Sequence, residues 1–174
     1  MPPPSSAPAS SRQASTCARS RASSASSSAD AVSDNPLTNP NIAHPAIDDA
    51  SIGLLVRTFY GRAHEDDVIG PVFAAAVADW DDHIAKITDF WSSVMLRTSR
   101  YNGRPMRPHL ILPLEGRHFD RWLALFEETA RELFAQDVAE AFIIRARRIA
   151  DSFEMAIGTQ RGEMRAPRHS VRPL

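Results

Sequence analysis

Apolar residues return at helical spacing in four stretches of this 174-residue chain, and nowhere do they alternate with polar ones for long enough to predict a strand. The first stretch follows Asp48-Asp49, whose carboxylates suit the positive end of a helix dipole, and Ile52, Val56, Phe59 and Ala63 then share one face. Gly70-Pro71 breaks the pattern, and Val72-Phe73 is expected in a short turn or helix. Asp79 is the predicted N-cap of the second long helix. Its stripe is Trp80, Ile84, Ile87, Trp91 and Val94, with His83 and Phe90 flanking it. A third helix is predicted from Glu115 to Phe134, with Phe119, Trp122, Leu123, Phe126, Ala130 and Leu133 on one side. A fourth runs from Val138 to Ile157, striped by Phe142, Ala146, Ile149, Phe153 and Ile157. The prediction is an all-α unit of four major helices and one short irregular connector.

That connector carries the most telling chemistry. It reads Tyr101-Asn102-Gly103-Arg104-Pro105-Met106-Arg107-Pro108-His109-Leu110-Ile111-Leu112-Pro113. Proline has no backbone N–H, and it pushes the residue before it away from helical geometry. His109 is therefore expected on one turn of helix at most. A lone histidine on a proline-fixed segment facing a helical core is placed to ligate a metal or haem from one side. His83, inside the second long helix, could face it from the other. The plain alternative is a loop histidine in water. His118, in the first turn or so of the third helix, is the rival ligand and is expected to be solvated or capping.

Composition divides the chain. Residues 1–29 hold no acid and, beyond the start Met, no large apolar side chain, so residues 1–43 are expected to form a disordered Ser/Ala/Pro/Arg-rich tail. The alternative is an organelle transit peptide, though the segment lacks an amphipathic stripe. Residues 44–160 are the expected domain, with 13 basic and 18 acidic residues and hence a net charge near −5. Residues 161–174 read as a basic, solvated C-terminal tail. Lys86 is the only lysine, which together with abundant alanine reads as coding bias, so no single choice of arginine over lysine carries functional weight. The one cysteine, Cys17, excludes an intrachain disulfide and a cysteine-based zinc site. A whole-chain formal charge of −1 marks no nucleic-acid binder, and no apolar run approaches the roughly 20 residues of a membrane span. A cytoplasmic protein is expected, with organelle targeting by residues 1–29 as the minority reading.

Six motifs in order carry a resemblance. They are Phe59-Tyr60, Gly70-Pro71-Val72-Phe73, Trp80-Asp81-Asp82-His83-Ile84-Ala85-Lys86-Ile87 with Phe90-Trp91, Tyr101 to Pro105, His109, and Trp122 to Thr129. Over about residues 45–158 the chain resembles the group III truncated haemoglobins, small globins with a two-over-two helical fold. It has no Gly-Gly pair, which separates it from groups I and II. The resemblance implies haem b with His109 as the proximal iron ligand. It implies Tyr60, His83 and Trp122 on the ligand side, with His83 able to swing as a gate. Phe73, Ile87, Phe90, Trp91 and Leu112 would wall the cofactor, although core packing accounts for them equally well. Diatomic ligands (oxygen, nitric oxide, carbon monoxide) and an unidentified reductase are the implied partners. Redox chemistry of nitric oxide dioxygenase or peroxidase type is implied, rather than bulk oxygen storage. The competing expectation is a haem-free interaction or sensor module on the globin fold.

Overall fold

The computed structural model describes residues 43–163; of the expected tails at 1–43 and 161–174, residues 1–42 and 164–174 lie outside the described residues. Six helices follow one another: α1 (Asp49–Glu65), α2 (Gly70–Ala76), α3 (Trp80–Leu96), α4 (Met106–Leu110), α5 (Gly116–Leu133) and α6 (Gln136–Gln160). No strand occurs among the described residues. The four long helices are those the periodicity predicts. Val72-Phe73 belongs to the two-turn α2, and His109 sits in the five-residue α4.

The ends form for local reasons. Asp48 accepts from the Ser51 N–H at 2.8 Å while Ser51 Oγ accepts from the Asp48 N–H at 2.9 Å, a reciprocal cap that starts α1. Asp79 caps α3 by accepting from the Asp82 N–H at 3.0 Å. Arg97 ends α3 in the left-handed region, φ 58°. The bend from α1 into α2 needs a glycine, because a Cβ at Gly70 would meet the His64 carbonyl oxygen at 2.7 Å. Pro71 then sits in the first turn of α2, where its missing N–H costs nothing.

α1 packs on α3 and on α5, α5 packs on α6, and the short α4 leans on α6. The dry centre is aromatic. Phe126 is stacked between Trp91 (5.1 Å, 19°) and Trp122 (5.2 Å, 18°), with Phe59 edge-on to it at 5.2 Å. Phe59, Trp91, Phe126 and Phe142 are fully buried. Several stripe positions depart from the expected core: Ile87, Phe90, Trp122, Ile149 and Phe153 are only half-buried. All five border one cavity.

One buried carboxylate joins the α1–α2 turn to α5. The Asp66 side chain, 7% exposed, accepts from the N–H groups of Val68 (2.9 Å) and Ile69 (3.1 Å) and from Arg121 Nε (2.6 Å). Burial alone would raise its pKa. The Ile69 N–H, the Arg121 guanidinium and the Val68 N–H together outweigh that and hold it below the ordinary carboxylate value of 3.8. A carboxylate with a depressed folded pKa stabilises the protein above its unfolded pKa and loses that contribution as pH falls through the folded value. Asp66→Ala is therefore expected to cost about 1.5–3 kcal/mol at neutral pH. Denaturant unfolding at pH 7 and at pH 3 checks this: the gap between wild type and variant should narrow in acid, and a constant gap would contradict the argument.

Candidate functional site

The cavity encloses about 300 Å³ between α1, α2, α3, α4, α5 and α6, within the range of small-molecule and cofactor pockets. Tyr60, His83, His109 and Trp122 border it, as do Phe73, Ile87, Phe90, Trp91 and Leu112. The structure thus brings together all nine residues singled out from the sequence. Phe59, the neighbour of Tyr60, points instead into the dry core, because adjacent residues on a helix face different ways.

His109 is held by its own helix. Its Nδ1 lies 2.7 Å from the Pro105 carbonyl oxygen. A carbonyl only accepts, so Nδ1 carries the proton and donates. Nε2 is left with its lone pair and has no hydrogen-bond partner among the described residues. Phe153 of α6 packs against the ring at 4.6 Å. Burial pushes the imidazole pKa below its ordinary value, with the Pro105 carbonyl opposing, so the neutral form is favoured. These are the properties of an imidazole prepared to donate a nitrogen lone pair to a metal.

His118 has the opposite arrangement. It borders the same cavity and is buried, 8% exposed, so the expectation of a solvated side chain is corrected while that of a cap holds. Its Nδ1 lies 2.9 Å from the Glu115 backbone N–H and must accept from it. The neutral ring then carries its proton on Nε2, which is a donor and has no lone pair to give.

Three polar groups lie elsewhere on the wall. Tyr60 is buried (6% exposed), which pushes its hydroxyl well above the ordinary tyrosine pKa; the Trp122 indole N–H beside it offsets only part of this. The hydroxyl therefore keeps its proton and can donate. His83 lies edge-on to Tyr60 (5.6 Å), Trp80 (5.7 Å) and Phe73 (6.2 Å). Its Nε2 is buried with no hydrogen-bond partner among the described residues. Burial lowers its pKa, and His109 lowers it further. An unpaired buried polar atom costs about 1–3 kcal/mol, so its presence calls for a partner that the described residues do not supply.

Sequence reasoning missed other members of the wall. Lys86 follows His83 by three residues on α3, hence on the same face, and borders the cavity with Tyr101. Tyr101 closes over Gly103, where any side chain would collide with its hydroxyl. Ile149 and Phe153 of α6 were read as core only, yet both border the cavity.

The half-buried apolar residues and the two unpaired imidazole nitrogens fit a flat apolar body carrying a metal. The comparisons with known proteins point the same way. The bacterial-like globin family matches residues 47–154. The group 3 truncated hemoglobin of Campylobacter jejuni is 34% identical over 113 residues, covering 62% of this chain and 89% of the relative. A crystal structure of the group III truncated hemoglobin from Campylobacter jejuni covers 67% of this chain and 95% of its own, with a TM-score of 0.61 and 32% identity. The chain belongs to the bacterial-like globin family and has the all-α truncated globin fold. Membership implies haem binding, as the motifs implied from the sequence. No helix among the described residues is long and apolar enough to cross a membrane.

Proposed function

We propose that this globin binds haem b with His109 Nε2 on the iron and handles diatomic ligands on the side of Tyr60, His83 and Trp122. The observation that carries the reading is the fixed tautomer of His109. Its Nδ1–H is committed to Pro105, so its other nitrogen offers a lone pair to the cavity. Phe73, Ile87, Phe90, Trp91 and Leu112 supply apolar walls that exclude water, and all but the fully buried Trp91 complete their burial against the cofactor. Lys86 and Tyr101 offer polar partners for its carboxylates. Haem iron supplies an open coordination position for oxygen, nitric oxide or carbon monoxide and a redox couple that a reductase can reset.

The protein's own share is selection by polarity. Tyr60 holds a proton on its hydroxyl, and Trp122 and His83 add two further polar groups in a site of low local dielectric. A site with that many polar groups suits retention of a polar ligand for reaction with a second molecule better than rapid release. Nitric oxide dioxygenase or peroxidase chemistry fits that requirement. The proposed globin unit covers residues 44–160.

The purified protein is expected to be red with a Soret band, and its extracted haem to be of the b type. Adding haem to the apoprotein should also raise its unfolding midpoint. A ligand that binds only the folded state contributes about 4 kcal/mol at a thousandfold excess over Kd. A protein that stays colourless after haem addition, with an unmoved midpoint, would leave the haem-free module as the reading.

A further inference from the structure

Arg161 stands at the C-cap of α6, in the stretch expected from composition to be solvated tail, and it is bonded elsewhere. Its Nη1 donates to the Leu114 carbonyl at 2.7 Å and its Nη2 to the Leu112 carbonyl at 3.2 Å. Both carbonyls belong to the strip of chain that leaves α4 directly after His109. Leu114 anchors the far end of that strip in the core, while Ile111 to Pro113, between it and α4, are half-buried or exposed. The strip's own backbone bonds are Ile111 N–H and Leu112 N–H to the His109 carbonyl, the latter long at 3.3 Å, and Leu114 N–H to the Leu112 carbonyl at 2.8 Å. Pro113 has no N–H to give, and Ile111 is 83% exposed. A guanidinium suits two carbonyls two residues apart because its donors form a planar fork.

α6 therefore reaches the His109 segment at two points. Phe153 packs against the imidazole ring, and Arg161, two turns further on, ties down the exit from α4. The globin family match ends at residue 154, so the second contact lies beyond it. We propose that Arg161 is a positioning residue for the His109 imidazole, fixing the strip that would otherwise let the last turn of α4 fray and the ring tilt. The proposal rests on His109 as the iron ligand. Without the fork, Nε2 samples orientations that do not face the cavity, and the hold on haem weakens.

The test compares holoproteins of wild type, Arg161→Met and Arg161→Lys, with His109→Gly reconstituted with excess haem, without added imidazole, as the control for the ligand. Arg161→Met keeps the apolar stem and removes both donors, while Arg161→Lys keeps a single donor group. Haem transfer to an excess of apomyoglobin should run about tenfold faster in Arg161→Met, the effect of two lost hydrogen bonds, and less so in Arg161→Lys. The iron–imidazole stretching band of the ferrous protein should shift or broaden in the same order. Persistence of that band in His109→Gly would remove the ligand assignment itself. A band lost in His109→Gly but identical to wild type in Arg161→Met, with unchanged haem transfer, would overturn the positioning role alone. Faster haem transfer with an unmoved band and an equally lowered apoprotein midpoint would make Arg161 a general stabiliser and would also overturn it.

Discussion

His109→Ala is expected to emerge from purification with little or no haem, and free imidazole is expected to restore the bound spectrum. His118→Ala should retain haem. Both histidines border the cavity, so position alone does not separate them. Their protons do. In His109 the carbonyl of Pro105 takes the Nδ1 proton's hydrogen bond and leaves a lone pair on Nε2. In His118 the Glu115 N–H occupies the Nδ1 lone pair and leaves Nε2 protonated. Turning His118 into a ligand means giving up that cap or forcing a deprotonation that imidazole resists at neutral pH. The same bond gives His118→Ala a different signature. It frees the Glu115 N–H at the start of α5, a loss of about 0.5–2 kcal/mol in stability by analogy with other helix caps. The expected pattern is a variant that melts earlier yet stays red, beside one that is colourless. Haem loss of equal extent from both would refute the assignment.

The fold was largely legible because the periodicity is strong and the stops are chemical. Gly70-Pro71, Asp79, Pro105 and Pro113 stand at or just outside helix ends for reasons that act locally, so α1, α3, α5 and α6 lie close to where spacing puts them. α6 begins at Gln136 and runs on to Gln160, whereas the apolar stripe marks only Val138 to Ile157, since terminal turns need no apolar residue. The site was legible in part. Motif resemblance pointed to His109, Tyr60, His83 and Trp122, and the spacing of Lys86 from His83 would have placed it on the same wall. What spacing does not show is a cavity. Ile149 and Phe153 look like core in the sequence because an apolar stripe is the same whether it meets a neighbouring helix or a cofactor. Arg161 was illegible for another reason: its partners are backbone carbonyls, which carry no sequence signal, on a segment almost fifty residues away.

Tyr60→Phe and Trp122→Phe are each expected to change the oxygen dissociation rate severalfold while changing carbon monoxide dissociation much less. Donors stabilise a polar ligand more than a weakly polar one, and the effect grows where water is excluded. Each neutral hydrogen bond contributes about 0.5–1.5 kcal/mol net, which is roughly two- to tenfold in a rate of release. Tyr60 is the stronger candidate, because burial holds its proton in place and its ring borders the cavity edge-on to His83. Trp122 stands beside the Tyr60 hydroxyl, and its ring is fixed by stacking on Phe126. The indole N–H thus orients the tyrosine and would have to leave it to donate to the ligand itself. Two residues coupled in this way should not act additively, and Tyr60→Phe with Trp122→Phe should cost less than the sum of the single changes. His83 is set differently. Its ring lies edge-on among Tyr60, Phe73 and Trp80, with Nε2 unpaired, so packing alone and no hydrogen bond to Nε2 holds it in place. His83→Leu should therefore act mainly on ligand entry, read as the association rate for both gases. If oxygen and carbon monoxide release responded alike to all three substitutions, the pocket would discriminate by shape alone. The reasoning from retained oxygen to redox chemistry would then fail with it.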